Sequence, residues 1–184
     1  MQKIDHILDH GRNSFCRGFS LVESLVTMLI FSVIVAGIYA TALAGDSSWQ
    51  ANKVRIELQQ ELRKGMEWMI YDLRQSGDSS ITNVPADDNW YTTITFRTPA
   101  GVTAGSLSWN LSTVQFALGG ADSNQLQRID GAGTKVIAQD IQSLQFRRQA
   151  ATPNILEVAM TAQQNTIKGT PVDHQLNFEI QLRN

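Results

Sequence analysis

The spacing of apolar residues changes character twice along the chain. Residues 19–45 are apolar almost throughout, and from Ser24 to Gly45 there is no charged side chain. At about 1.5 Å per residue, a helix of that length spans the roughly 30 Å hydrocarbon core of a bilayer. From Asp46 to Gln75 the helical period continues on one stripe only: Val54, Leu58, Leu62, Met66, Met69 and Leu73, flanked by Lys53, Glu57, Glu61, Lys64 and Glu67. No proline falls between Phe19 and Gln75. Both stretches are therefore predicted as a single helix, lipid-soluble in its first half and amphipathic in its second. Its expected stop is Ser76-Gly77-Asp78, with Gly77 taking the left-handed position that ends many helices.

From Ile81 the period becomes two. Thr93 to Phe96 alternate, Leu107, Trp109 and Leu111 would share one face, and after a slip near Thr113 the series resumes with Val114, Phe116 and Leu118, as a bulge or turn requires. Gln125–Ile129 and Lys135–Ala138 flank the turn-forming run Asp130-Gly131-Ala132-Gly133-Thr134. Further strands are expected over Ile141–Phe146, Ile155–Ala162 and the segment ending at Asn184, where Leu176, Phe178, Ile180 and Leu182 alternate with polar residues. Antiparallel strands with one apolar face need a cover, and the amphipathic helix offers one. The predicted fold is α+β: a long N-terminal helix, transmembrane in one half and amphipathic in the other, packed on a C-terminal antiparallel β-sheet. In particular, Leu58, Leu62, Met66 and Met69 should pack on the face that carries Leu176, Phe178 and Ile180.

Charge sharpens the reading of the N-terminus. Lys3, Arg12 and Arg17 precede the apolar run, which is too long for a secretory h-region and is closed by no A-x-A-like site. The positive-inside rule then places residues 1–18 in the cytoplasm and the chain after Gly45 outside, with Lys53 and Arg55 following on the outer side. Outside residues 1–18 there remain twelve basic and fifteen acidic side chains, a net charge of −3 that gives no footprint for nucleic acid. The single cysteine, Cys16, and two of the three histidines, His6 and His10, lie in the leader. That removes a disulfide framework and leaves His174 alone for any metal or Cys/His chemistry.

Glu23 breaks the apolar pattern. A carboxylate there costs a few kcal/mol unless it sits at an interface or finds a partner. Arg17-Gly18-Phe19-Ser20-Leu21-Val22-Glu23 resembles the class III prepilin signal of type IV pilins and type II secretion pseudopilins. The resemblance implies cleavage between Gly18 and Phe19 by a prepilin peptidase, methylation of the new terminus on Phe19, and an assembly role for Glu23. Cleavage would create an amine on Phe19 that a staggered neighbouring subunit could present to Glu23, and an unpaired charge in a low dielectric would penalise the wrong stagger. Domains follow as 1–18, a cleaved leader; 19–45, the transmembrane and assembly helix; 46–76, an amphipathic stalk helix; and 77–184, a periplasmic antiparallel β-sheet domain. Implied partners are other pilins or pseudopilins, the prepilin peptidase and an inner-membrane assembly platform. No cofactor is implied. Where major pilins of this family often carry a helix-weakening proline, this chain has Ala40, so an unbroken helix is expected.

Its strand pattern looks more like PilW-type minor pilins and J-type pseudopilins than like a disulfide-looped major pilin. A minor pilin of a type IV pilus-like fibre, a type II secretion pseudopilin and a pilin-anchored adhesin or receptor are all compatible with these residues. An ordinary signal anchor accounts for the span but not for Gly18, Phe19 and Glu23 together. Elsewhere the chemistry is sparse. Asp87-Asp88-Asn89 lacks the spaced ligands of a calcium loop and reads as a solvated turn. Arg147-Arg148 reads as a solvated strand end, Trp90-Tyr91 as a contact anchor and Trp109 as core. Asp173 and His174, adjacent at the start of a strand, should point to opposite faces, which leaves no catalytic constellation.

Overall fold

The structure is a computed structural model that describes residues 20–103 and 106–183. It divides into two compact units at Asp46/Ser47. Helix α1, Leu21–Leu73, runs for 53 residues without interruption. The expected continuity through Ala40 is thus observed. Within the first unit none of the described residues is buried.

The second unit is built around the C-terminal part of α1. Among the described residues eight strands follow: β1 (Trp90–Tyr91), β2 (Ile94–Thr103), β3 (Ser106–Gly119), β4 (Gln125–Asp130), β5 (Gly133–Ala138), β6 (Ile141–Gln149), β7 (Thr152–Asn165) and β8 (Pro171–Gln181). The strands form two four-stranded antiparallel sheets, in the orders β2-β3-β4-β5 and β1-β6-β7-β8. The expected α+β architecture is present, with its strands divided between two sheets. The chain crosses between the sheets twice, from β1 to β2 and again at the short link between β5 and β6, where Asp140 takes a left-handed φ of 58° and its carbonyl accepts from Gln163 N at 2.9 Å.

The predicted stripe does face inward. Leu58, Leu62, Met69 and Leu73 are buried in one core with Phe96, Phe116, Leu126, Phe146, Leu156, Met160 and Ile180, while Val54, Met66, Leu176 and Phe178 lie partly buried against it. The rings of Phe96 and Phe116 stack at 5.9 Å between centroids. Gly65 lets the helix approach closely: a Cβ there would lie 2.9 Å from Leu126 Cδ2 and 3.7 Å from Met160 Sδ, so one glycine touches residues of both sheets. Polar contacts fix the same seat. Arg128 Nε donates to Asp72 Oδ2 at 2.7 Å, and Gln139 N donates to Glu61 Oε2 at 2.8 Å. Burial works against the Arg128 charge, but Asp72 and then Asp130 outweigh it and hold its pKa above the ordinary value.

Several expectations are corrected. The helix ends at Leu73, closed by tight hydrogen bonds from Gln75 N to Asp72 O and from Ser76 N and Oγ to Leu73 O. Gly77 is extended, with φ −103°, not left-handed. Glycine is needed there for close approach, because a Cβ would lie 2.8 Å from the Trp109 ring and 3.2 Å from Arg183 O. The slip near Thr113 is present: β2–β3 pairing passes from Arg97↔Thr113 to Pro99↔Trp109, and the extra residues turn Leu111 out to 94 % exposure. Leu111 therefore does not share the inward face with Trp109, which is half-buried. Strands β7 and β8 are longer than the alternation suggested. Their hairpin is closed by Gly169 N donating to Thr166 O at 2.8 Å and Thr166 N to Thr170 O at 2.8 Å, with Gly169 left-handed at φ 79°.

Candidate functional site: the exposed apolar half of the helix

Glu23 lies in the first turn of α1, where a carboxylate interacts favourably with the helix dipole. It is exposed, as are all but one of the described side chains around it. None of the described side chains in the apolar stretch of this half-helix is buried. Leu21, Val22, Leu25, Met28, Leu29, Ile30, Phe31 and Ile34 thus present to their surroundings the kind of surface that elsewhere in the chain forms the core. A helix apolar on all sides requires lipid or other helices around it.

Three hydroxyls within this stretch are satisfied locally. Thr27 Oγ1 donates to Glu23 O at 2.7 Å, Ser32 Oγ to Leu29 O at 2.8 Å, and Thr41 Oγ1 to Ile38 O at 2.8 Å. Each hydroxyl hands its proton to a carbonyl of its own preceding turn, so these side chains can enter an apolar medium without orphaned donors. The sequence reading passed over these hydroxyls. The available signal was their position inside an apolar helix, where a preceding-turn carbonyl is always in reach. Among the described residues the Glu23 carboxylate has no such local partner. At about 100° per residue, Glu23, Thr27, Ile34 and Thr41 fall close to one line along the helix.

Gly18 and Phe19, the expected processing residues, lie outside the described residues, as do Cys16 and the rest of the leader. The structure therefore leaves their roles as expectations.

The remaining candidates resolve into structural roles. Asp87 accepts from Asn89 N at 3.1 Å, Asn89 Nδ2 at 2.9 Å and the Tyr91 hydroxyl at 2.6 Å. The Tyr91 and Asn89 hydrogen bonds hold its pKa below the usual carboxylate value. Asp88, left-handed at φ 65°, accepts from Ala150 N at 3.2 Å. Both aspartates thus shape a turn. Among the described residues there is no group of three His, Cys, Asp or Glu side chains placed to hold a metal ion.

Arg147 and Arg148 part company. Arg147 stands over the Trp90 ring at 4.6 Å and donates to Glu157 Oε2 at 2.5 Å. Arg148 is not solvated as expected: it is 4 % exposed, donates to Val84 O at 3.0 Å and Pro153 O at 2.9 Å, and pairs with Asp78. Burial lowers its pKa from the ordinary arginine value. Trp90 remains substantially exposed, so its contact role is open to a partner, whereas Trp109 supports the Gly77 turn. Asp173 is exposed and His174 half-buried, in keeping with alternation along β8.

Residues 13–39 match the family described as the prokaryotic N-terminal methylation motif. The match is consistent with a type IV pilin-like precursor, and it places Gly18, Phe19 and Glu23 within the matched segment. A class III signal of this kind implies processing by prepilin peptidase and assembly with other pilins, and it points to a structural protein. Together with the apolar helix it suggests a membrane-anchored chain. No curated protein matches the chain.

Proposed function

We propose that the chain is a minor pilin, a structural subunit at the initiating or tip portion of a type IV pilus-like fibre. In this reading, prepilin peptidase cuts after Gly18, Phe19 carries the methylated amine, and residues 19–45 first anchor the protein in the inner membrane with the folded unit in the periplasm. The same helix then passes into the fibre, delivered through an inner-membrane assembly platform. The observation that supports it most is the wholly exposed apolar half-helix bearing Glu23 in its first turn, within the matched motif. Such a surface suits lipid before assembly and neighbouring helices after it.

Glu23 supplies register. A neighbour whose Phe19 amine reaches the carboxylate neutralises it, while any other stagger leaves a charge in a medium of low dielectric. The test is replacement of Glu23 by Ala and by Gln. Both variants should insert and be cleaved normally, and co-purification with other pilins should fall. The folded unit should keep its stability to within about 0.5 kcal/mol, because Glu23 is not part of its core. A Gln variant that assembled as well as the parent in direct competition would contradict charge pairing.

A further inference from the structure

Each sheet leaves a strand at either rim, and among the described residues three of those four edges are blunted. Beside β2, Thr82 N donates to Thr95 O at 3.0 Å and Asn83 Oδ1 accepts from Thr95 N at 2.6 Å, and register shifts around Pro99 break what remains. Strand β1 has two residues, and next to it Ala86 bridges to Arg148. Strand β5 has six, with Lys135 Nζ 4.0 Å from the Trp68 ring of α1. Short strands, bulges, proline and lysine are the means by which a sheet edge is kept from pairing with another chain. Strand β8 has none of them. It runs for eleven residues in unbroken register with β7, from Ile155↔Gln181 to Asn165↔Pro171, with no lysine, arginine or internal proline.

The phase of the β7–β8 ladder fixes which groups are left over. Leu182 N donates to Asn154 O at one end and Thr166 N to Thr170 O at the other, both at 2.8 Å. Bonded positions alternate in an antiparallel pair, so the even-numbered residues of β8 bond to β7 and the odd-numbered ones turn their N–H and C=O groups away from it. Arg183, in the same phase, shows what such a group does when a partner is in reach: its N–H donates to Ser76 O at 2.9 Å. Asp173, Gln175, Asn177 and Glu179 are all exposed, and among the described residues no backbone partner lies on that side of them. The inner face is unfinished along the same line. Leu176 and Phe178 stay partly exposed, although Met160 and Val158, opposite them on β7, are sealed.

We propose that the free edge of β8 receives an extended segment of another protein as an added strand, one that alternates apolar and basic side chains. The backbone groups of Asp173, Gln175, Asn177 and Glu179 supply the ladder, and alternate side chains supply the selection. On the inner face, apolar residues of the guest complete the cover over Leu176 and Phe178. On the outer face, Asp173 and Glu179 call for cations: Glu157, opposite Glu179 on β7, already holds Arg147, and β8 itself carries no lysine or arginine. Charge also disfavours a second copy of this chain. Two β8 strands paired antiparallel in full overlap would set Asp173 against Glu179 twice, and like charges directly opposite are destabilising. The edge belongs wholly to the folded unit, so the contact stands whether or not the chain is a minor pilin.

The test uses the full chain in a non-ionic detergent and a capped peptide that alternates lysine and valine over the length of β8. Binding is followed by hydrogen exchange resolved to single backbone amides. Saturating peptide should slow Gln175 and Asn177 several-fold, while Leu176 and Phe178, already bonded to β7, change far less. A peptide of the same side chains with alternate backbone nitrogens methylated should lose the effect, because one of its edges can no longer donate. Asn177→Pro removes an outward N–H that β7 does not use and should block binding too, whereas the methylated peptide makes the same test without altering the protein. Glu179→Lys should weaken binding and favour a peptide that carries glutamate in place of lysine. Absence of binding, equal binding of the methylated peptide, or binding without slowing at Gln175 and Asn177 overturns the added strand. Equal binding of the glutamate peptide to the parent chain overturns its basic character. Slowing at the same amides on concentrating the protein alone assigns the edge to a second copy and overturns the foreign guest.

Discussion

The two halves of α1 solve one problem in opposite ways. Leu58, Leu62 and Met69 are sealed inside the chain's own core, whereas Leu25, Leu29 and Ile34 stand in the open on the same continuous helix. In the second half, one apolar stripe is matched by two sheets and the other faces are polar. In the first half, apolar side chains surround the helix, and none of them is buried among the described residues. Burial within the chain thus distinguishes a helix that completes a domain from one that awaits a partner or a bilayer.

The comparison can be broken most sharply with paired leucines. Leu62→Ala should destabilise the folded unit by about 2–5 kcal/mol, since it removes a fully enclosed side chain from between two sheets. Leu29→Ala should leave that stability unchanged to within about 0.5 kcal/mol, and it should act instead on membrane retention or assembly. Denaturant unfolding followed by tryptophan fluorescence reads the first effect, and membrane fractionation reads the second.

Two glycines extend the contrast at smaller amplitude. Gly65 has Leu126, Ala138 and Met160 within 4 Å of where a Cβ would stand, while Gly37 has nothing. Gly65→Val should cost about 1–3 kcal/mol by forcing the helix off the sheets. Gly37→Val should leave the unfolding midpoint where it is.

The smallest effect concerns the acidic side of the buried half. Burial, and then repulsion from Glu61 and Glu57, holds the Asp140 carboxyl above its usual pKa. A raised acid binds its proton more readily in the folded state, so its charge opposes folding at neutral pH, and stability is regained as pH falls through its titration. Asp140→Asn should raise neutral-pH stability by less than about 0.5 kcal/mol after solvent screening. The gain should shrink on acidification through the weakly acid range, as thermal melts at several pH values would show. Asparagine suits the left-handed backbone at this position.

The sequence carried some of this directly and hid the rest for identifiable reasons. Helical period named the stripe Leu58–Leu62–Met69 because its faces differ in polarity, and strand period named Leu176, Phe178 and Ile180. Period two cannot say which sheet a strand joins, so the division at Asp140 was not legible. Gly77 was misread because a glycine after a helix serves equally for a left-handed turn or for close packing, and only the Trp109 ring decides between them. Leu111 was misread because a bulge shifts every later side chain, and the slip was visible while its direction was not. Arg148 looked like a surface charge until Val84, Pro153 and Asp78, distant in sequence, closed around it. In the candidate site, Glu23 is visible in the sequence as a lone charge in an apolar run. The hydroxyls of Thr27, Ser32 and Thr41 were less conspicuous because their hydrogen bonds are local and their cost is hidden.

The central claim is that the exposed half-helix belongs to a processed, pilin-like subunit. Its most direct test is the intact mass and N-terminal sequence of the protein isolated from membranes of cells that carry the prepilin peptidase. The account predicts loss of residues 1–18 and a single methyl group on the amine of Phe19, with bulky replacements of Gly18 leaving the precursor whole. A mature N-terminus beyond Gly45, with the apolar helix removed, would contradict it.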